Sequence, residues 1–179
     1  MSKAHPNAPR VPLNCAVLTI SDSRTPETDT SGDYLAESLA AAGHRCVRRG
    51  LSTGNMYELR KIVSDWIAAD DIQVVLTNGG TGFSHQKSTG AAITPLLDMT
   101  LAGFGELFRH LSFLEIGSST LQSDAFAGVA NNTLIFCMPG STNACKTAWE
   151  GILKEQLDST HRPCNFAGYF RSPSEVLGL

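Results

Sequence analysis

Three short loops hold the residues whose types and spacing could do chemistry, and each loop follows an apolar run. Loop 1 (residues 21–29) contains Ser21, Asp22 and Asp29. Loop 2 is Asn78-Gly-Gly-Thr-Gly82, where the glycines let a ligand approach the backbone amides and a threonine adds a hydroxyl group. Carboxylates, hydroxyls and accessible amides together predict a polar, charged ligand.

Loop 3 is Pro139-Gly-Ser141 and also follows an apolar run. Ser141 is placed to cap the helix that comes next and to leave amides facing an anion. In open α/β sheets, ligands bind beyond the carboxyl ends of the strands, where such loops gather. Two amide-rich loops at one sheet edge therefore predict a ligand that carries phosphate.

Each of these features also has a simpler explanation. Gly79-Gly-Thr-Gly82 alone is typical of a tight turn, since it is neither the spaced glycine motif of dinucleotide folds nor a P-loop. Asp22 and Asp29 are equally typical of surface turns. The histidines lack the spacing of metal ligands, so we assign no metal site to them. It is the three loops together, each at the end of a strand, that favour a ligand site.

The elements that must position these loops alternate along the chain. Ala16-Val-Leu-Thr-Ile20 and Ile72-Gln-Val-Val-Leu-Thr77 are apolar runs that predict buried strands. Residues 46–49 predict an edge strand. A tight Asn131-Asn132 turn is predicted to lead into a further strand.

Helical periodicity separates the predicted strands. The strongest signature runs from Leu59 to Ile67, with apolar residues at i, i+3, i+4, i+7 and i+8. A helix that contains Leu35 is expected to stop at Gly43, and an apolar stripe from Phe104 to Phe113 is expected to form core or a subunit interface. Helices between parallel-type strands predict an α/β fold, a three-layer α/β/α sandwich with a mostly parallel central sheet.

Composition indicates one domain. The chain has 179 residues, of which 42% are hydrophobic and 17% charged, and this suits a single core. We predict a flexible lead-in at 1–13, one domain at 14–165 and a C-terminal tail at 166–179.

Charge and cysteine content exclude several classes of protein. A net charge of −3 gives no basic surplus for nucleic acid, and no apolar run approaches the ~18 residues of a membrane span. The N-terminus lacks the apolar stretch of a secretory signal. The five cysteines are scattered, without a Cys-x-x-Cys pair. Reduced thiols in a cytoplasmic protein fit this pattern best.

Short segments along most of the chain, including loops 2 and 3, have the order and spacing of the sequence motifs of a known family. They are Leu18-Thr-Ile-Ser-Asp-Ser-Arg24, Asp29-Thr-Ser-Gly32, Gly43-His44, Gly79-Gly-Thr-Gly82, Gly103-Phe-Gly-Glu-Leu-Phe-Arg109, Ser112, Glu115-Ile-Gly117, Ala127-Gly-Val-Ala-Asn131, Pro139-Gly-Ser141 and Arg162-Pro-Cys-Asn165. This pattern resembles the MoaB/MogA family of molybdenum cofactor biosynthesis proteins, closer to its MoaB branch.

The resemblance implies a compact α/β domain that assembles into homotrimers or homohexamers, with other molybdenum cofactor biosynthesis proteins as further partners. It implies molybdopterin, a pterin dithiolene with a terminal phosphate, as the ligand. Active members transfer AMP from Mg-ATP to that phosphate, so ATP and Mg²⁺ are implied only for an active protein. The residues that match the family's binding loops are Ser21, Asp22, Asn78, Gly79, Gly80, Thr81, Gly82, Ser112, Pro139, Gly140 and Ser141, with Asp22 as a candidate catalytic residue.

The chain departs from the active pattern at two acidic positions. Where the family continues after loop 2 with Arg-Asp-x-Thr-Pro-Glu, this chain has Gln86-Lys-Ser-Thr-Gly-Ala91, so Lys87 stands in place of the aspartate expected to serve Mg²⁺. The second family carboxylate is expected in the loop before the helix that contains Tyr57. This loop reads Thr53-Gly-Asn55 here, so Gly54 or Asn55 replaces that carboxylate. Mg²⁺ is usually held by one or two carboxylates together with substrate phosphates.

Three functions follow as alternatives. An active molybdopterin adenylyltransferase would need another carboxylate, such as Asp22, Asp29 or Asp124, where Asp124 itself replaces a family arginine. A binding paralogue would hold molybdopterin in the glycine loops with weak or no transfer, and Lys87 would neutralise a phosphate directly. An assembly partner would do neither. Because nucleotidyl transfer relies on the metal and on positioning, the sequence favours the binding paralogue. The loops indicate that the ligand carries an anion but do not identify its ring system, so a ligand other than molybdopterin is also compatible with the sequence.

Overall fold

A computed structural model of the protein describes residues 10–82 and 88–169, and a six-stranded sheet crosses it. The strands are β1 (Asn14–Ile20), β2 (Arg45–Ser52), β3 (Val74–Gly79), β4 (Met99–Thr100), β5 (Phe126–Ala130) and β6 (Thr133–Met138). Their spatial order is β2-β1-β3-β6-β5-β4, in which the first four are parallel and β5 is antiparallel to both its neighbours. The chain passes from β1 to β2 on one side and returns to β3 on the other, so the winding direction reverses between β1 and β3.

Helices connect most of the strands. They are α1 (Thr30–Ala41), α2 (Met56–Ile67), α3 (Thr89–Ile93), α4 (Ala102–Ile116), α5 (Thr142–Ala148) and α6 (Lys154–Gln156). A π-helical turn at Trp149–Leu153 joins α5 to α6. Short 3₁₀ turns lie at Pro26–Thr28, Thr94–Leu96, Gly117–Gln122 and Ala167–Tyr169.

Two separate hydrophobic cores flank the sheet, which confirms the predicted three-layer α/β/α sandwich. One core joins alternate strand residues to α1, α4 and α5, and it includes Val17, Leu76, Leu39, Phe108 and Cys145. The other joins the remaining strand residues to α2 and α3, and it includes Leu18, Val75, Leu59, Val63 and Ile93. Successive strand residues point to opposite faces, so each central strand is buried on both sides.

Local sequence signals set several element boundaries. The α1 helix begins after Asp29, whose carboxylate accepts a hydrogen bond from the Gly32 N–H at 2.9 Å, and Gly43 follows its end with a φ angle of +85°. Asn131 and Asn132 have φ angles of 45° and 60° and close the β5–β6 hairpin. Asparagine tolerates this left-handed region better than most residues, which is why the two-residue turn was predictable.

The packed part of the chain extends past both edges of the predicted 14–165 domain. Leu13 is fully buried, and its N–H donates to His44 Nδ1 at 3.2 Å. At the other end, the ring of Phe166 lies 6.1 Å from that of Phe136, and Ala167 is 1% exposed. Within the described ranges, none of the helices is long and apolar enough to cross a membrane.

Candidate functional site

The three predicted loops come together at one edge of the sheet. Ile20 pairs with Gly79 across β1 and β3, and Asn78 pairs with Met138 across β3 and β6. Loops 2 and 3 are in contact, because a Cβ atom added to Gly140 would lie 2.9 Å from the Gly79 Cα. Loops 1 and 2 follow β1 and β3, the two strands between which the winding direction of the sheet reverses, and such a point is where open α/β sheets bind ligands.

The backbone of loop 2 requires glycine. Gly79 and Gly80 have φ angles of +97° and +62°, and added Cβ atoms would collide with the Ile20 carbonyl oxygen and the Thr89 hydroxyl, respectively. Thr89 donates its hydroxyl to the Gly79 carbonyl at 2.8 Å and its N–H to the Gly80 carbonyl at 3.2 Å. Since C=O and N–H point in opposite directions in a trans peptide, the N–H groups of Gly80 and Thr81 point away from Thr89. The loop can therefore direct two neighbouring N–H groups at an anion.

A buried chain of polar side chains lies at the base of loops 1 and 2. Thr19 donates its hydroxyl hydrogen to Asp29 Oδ2 at 2.7 Å and accepts from Asn78 Nδ2 at 2.8 Å. Because the carboxylate only accepts and Thr19 has one hydrogen, the Asn78 amide must turn Nδ2 toward Thr19. Asn78 is fully buried, yet in the described part of the chain its Oδ1 has no hydrogen-bond partner. A buried carbonyl oxygen needs a donor, which a ligand or a water molecule can supply.

Asp29 is a structural carboxylate. It is 3% exposed, so its interpretation as a surface-turn residue was wrong. Its Oδ1 caps α1 through Gly32, and its Oδ2 lies 3.2 Å from Arg49 Nη2 as well as bonding Thr19. Both oxygens already bind protein donors, so we do not assign Asp29 to a metal.

Asp22 lies against the loop that lacks the second family carboxylate. Its Oδ1 accepts a hydrogen bond from the Gly54 N–H at 3.0 Å. On the adjoining turn of α2, Glu58 Oε2 accepts from the Thr53 hydroxyl at 3.2 Å. Two exposed carboxylates thus bind neighbouring residues of the β2–α2 loop, the loop that lacks the second carboxylate of the family pattern.

Ser21 shapes loop 1 through its side-chain oxygen. Ser21 Oγ accepts from the backbone N–H groups of Ser23 and Arg24 at 3.3 and 3.2 Å. The Arg24 guanidinium then reaches loop 3, with Nη2 3.4 Å from the Gly140 carbonyl oxygen. Ser31 on α1 donates to the same carbonyl at 2.9 Å. Arg24 and Ser31 were missed by the sequence analysis, because the residue they contact is more than 100 positions away.

The other predicted residues are placed as follows. Ser141 Oγ accepts from the Ala144 N–H at 3.1 Å, which confirms the predicted helix cap. Ser112 is buried on α4, one turn before Glu115, whose carboxylate bonds the Thr147 hydroxyl of α5 at 2.8 Å. Ser112 therefore belongs to the helix that packs on α5, and its role in binding stays a prediction.

Two charged residues that depart from the family pattern lie on the continuation of loop 2 or close to it. Lys87 lies outside the described residues. Asp124 faces the start of α3, where its Oδ2 would be 3.4 Å from a Cβ atom on Gly90.

Neither the Cys145 thiol nor a cluster of metal-binding side chains offers chemistry at this edge among the residues that the structure describes. Cys145, whose Sγ lies 3.7 Å from the Pro139 carbonyl oxygen, is buried, and burial raises the pKa of its thiol to about 12. A thiol with so high a pKa is a poor nucleophile at neutral pH. Among residues 10–82 and 88–169, no group of three or more His, Cys, Asp or Glu side chains could hold a metal ion.

The fold and the loops together define a class of protein, an α/β domain with glycine-containing loops at the sheet edge where the winding direction reverses. The family model described as "Probable molybdopterin binding domain" matches residues 16–159. The chain belongs to this family, which confirms the resemblance inferred from the motifs.

Relatives and solved structures agree. Molybdenum cofactor biosynthesis protein B of Escherichia coli (strain K12) is 56% identical over 156 residues, which cover 87% of this chain and 92% of the relative. A crystal structure of Molybdenum cofactor biosynthesis protein B superposes with a TM-score of 0.80 at 40% identity, covering 82% of this chain and 92% of that one. The tungsten cofactor synthesizing protein MoaB from Pyrococcus furiosus gives a TM-score of 0.73 at 32% identity, with coverage of 83% and 94%.

Proposed function

We propose that this protein acts in molybdenum cofactor biosynthesis by binding molybdopterin at loops 1 to 3, with little or no adenylyl transfer. The observation that carries the binding is the backbone of loop 2. Gly79 and Gly80 hold conformations that side chains would block, and Thr89 turns their carbonyls away from the ligand side. Neighbouring N–H groups suit the terminal phosphate of molybdopterin.

The second half of the proposal concerns catalysis. Transfer from Mg-ATP needs a metal-bound, correctly oriented triphosphate. The family carboxylate after loop 2 is replaced by Lys87, and the one before α2 by Gly54 or Asn55. Asp29 is committed to Arg49, Thr19 and Gly32. The site therefore keeps the N–H groups of Gly80 and Thr81 that can bind an anion, here called the anion cradle. It lacks the two carboxylates expected for the metal.

Binding is tested by an anaerobic fluorescence titration of the full-length protein with molybdopterin. Gly80→Ala forces an alanine into the left-handed region and against Thr89, so we expect affinity to fall at least about tenfold. Gly103→Ala is the matched control, since nothing lies within 4 Å of a Cβ atom there. Circular dichroism shows whether both variants stay folded. No binding by the unmodified protein, or equal binding by folded Gly80→Ala, would contradict the proposal.

One observation favours a second candidate function, an active Mg-ATP-dependent molybdopterin adenylyltransferase. Asp22 and Glu58 both bind the β2–α2 loop, and two carboxylates with substrate phosphates can be enough for Mg²⁺. In that function Asp22 would be the catalytic metal ligand. Loss of transfer in Asp22→Asn separates this candidate from the first.

Self-association belongs to the same proposal. Five apolar side chains of α4 and the following turn are exposed, namely Leu107, Phe113, Leu114, Ile116 and Leu121. Burial of such a row against other copies would form the homotrimer or homohexamer that the family resemblance implies. The thiols described are all free, which fits a reducing compartment, and we propose a cytoplasmic location.

A further inference from the structure

Arg24 is a cation at the junction of loops 1 and 3. The Oγ of Ser21 holds its backbone N–H at 3.2 Å, and its side chain is 27% exposed. Nη1 lies 3.1 Å from the Thr30 hydroxyl and 3.4 Å from the Thr28 carbonyl oxygen, while Nη2 lies 3.4 Å from the Gly140 carbonyl oxygen. Gly140 in turn touches Gly79. The guanidinium is therefore one residue away from the loop 2 backbone.

These contacts leave the charge of Arg24 weakly compensated. A guanidinium has five N–H donors, and two of its three hydrogen bonds here are 3.4 Å long. Within the described ranges, the carboxylate that lies within 4.0 Å of the Arg24 guanidinium is that of Asp29, whose Oδ1 is 3.8 Å from Nη1. That oxygen already accepts from Gly32 at 2.9 Å, and Arg49 is 3.2 Å from the other oxygen. Arg49 is thus the closer charge partner of Asp29.

The Gly140 carbonyl does not depend on Arg24. Ser31 Oγ donates to it at 2.9 Å, half an ångström closer than Arg24 Nη2 at 3.4 Å. The first residues of α1 and α5, which directly follow loops 1 and 3, are also joined, since the Thr30 and Thr142 hydroxyls lie 3.1 Å apart. A cation needed only to hold these loops together would duplicate bonds that are already shorter. Its position beside an anion cradle points to a partner that is absent from the protein itself.

We propose that Arg24 binds the terminal phosphate of the ligand. This inference rests on the proposed function and extends it to a residue that the loop motifs do not assign. On binding, the guanidinium exchanges its two long carbonyl contacts for phosphate oxygens, which its planar fork can bind in pairs. Because the side chain is largely covered, solvent screens this attraction less than it would on an open surface. The amides of loop 2 and the Arg24 cation then approach the phosphate from two loops.

The test compares two ligands across four proteins under anaerobic conditions. The ligands are molybdopterin and molybdopterin freed of its phosphate by a phosphatase. The proteins are the unmodified chain, Arg24→Gln, Arg24→Lys and the control Arg48→Gln. Arg48 suits the control because it is an exposed arginine on β2, where its Nη2 lies 3.1 Å from Asp71 Oδ2. Dissociation constants are measured by fluorescence titration, and folding by thermal denaturation.

For molybdopterin we expect Arg24→Gln to raise the dissociation constant about 10- to 100-fold. Arg24→Lys should recover only part of the loss, since an ammonium is a point charge without a planar fork. The dephosphorylated ligand should bind equally to the unmodified chain and to Arg24→Gln. Arg48→Gln should change neither ligand.

Three results would overturn the inference. Equal weakening of both ligands by Arg24→Gln would make Arg24 a loop support, and unchanged binding of molybdopterin would leave it no role. Failure of the unmodified chain to bind either ligand would overturn the proposed function, and this inference with it. If Arg24→Gln does not fold, Arg24→Lys carries the same comparison, because it keeps the charge and removes the fork.

Discussion

Hydrogen bonds from Arg49 through Asp29 and Thr19 to Asn78 set the orientation of a single amide at the site. Each link follows from donor and acceptor chemistry, because the carboxylate accepts from Thr19, and Thr19 then accepts from Asn78. The amide oxygen is left for a partner that the described protein atoms do not supply. Arg49 on β2 is therefore linked to the first residue of loop 2 through two intervening side chains.

His44 links the start of the chain to the fold through one nitrogen. It is 8% exposed, and its Nδ1 accepts the Leu13 N–H at 3.2 Å. Desolvation lowers the pKa of His44 below its usual 6.5, with a raising effect of Asp158 and a lowering effect of Arg10. A protonated imidazole cannot accept this bond.

The pH dependence of stability follows from that shift. The unfolded chain binds a proton at His44 more readily than the folded chain, so stability is present above pH 6.5 and falls as the pH drops toward the folded pKa. Each unit of separation is worth about 1.4 kcal/mol. Urea unfolding across this range should show a smaller loss for His44→Asn, whose amide oxygen accepts without titrating. Parallel losses in both proteins would show that His44 is not responsible.

At the scale of single elements, α4 and the turn after it carry five of the seven large apolar side chains that are exposed in the described part of the chain. Leu114 is 70% exposed on α4, and Tyr57 is 71% exposed on α2 in another layer. If α4 forms the subunit interface, replacing Leu114 by a glutamate removes a buried leucine side chain and forces a carboxylate out of water. Together these effects cost about 2 kcal/mol or more of association free energy per protomer. Sedimentation velocity should show a trimer or hexamer that Leu114→Glu dissociates and Tyr57→Glu does not. Dissociation by neither variant, or by both equally, would contradict this assignment.

Elements with strong local signals could be predicted from the sequence. The helix around Leu59 and Val63 repeats apolar residues every three or four positions, and both side chains are fully buried on α2. The hairpin at Asn131 needed only residues that tolerate a positive φ. By contrast, β4 (Met99–Thr100) is two exposed residues that pair with β5. A strand so short has no alternation to detect, because its pairing is decided by the neighbouring strand.

At the scale of the whole molecule, the site could be predicted as a set of loops and not as a set of contacts. Strand ends in an open α/β sheet converge, so the meeting of loops 2 and 3 followed from fold class alone. The bond between Arg24 and Gly140 spans 116 positions, and that between Asp22 and Gly54 spans 32. Such pairs depend on loop conformation and on which side chains turn inward, and neither is encoded in spacing.

We propose that the fold keeps an anion cradle while the metal-dependent step is weak or absent. The most direct measurement incubates the purified protein with molybdopterin, ATP and Mg²⁺ and quantifies adenylylated molybdopterin and pyrophosphate. Lys87→Asp and Asp22→Asn are assayed alongside, with molybdopterin binding measured on the same preparations. We predict binding with little or no product for the unmodified protein and a gain of product for Lys87→Asp, which restores a carboxylate. Robust turnover by the unmodified protein, abolished in Asp22→Asn, would contradict the account and identify an active adenylyltransferase.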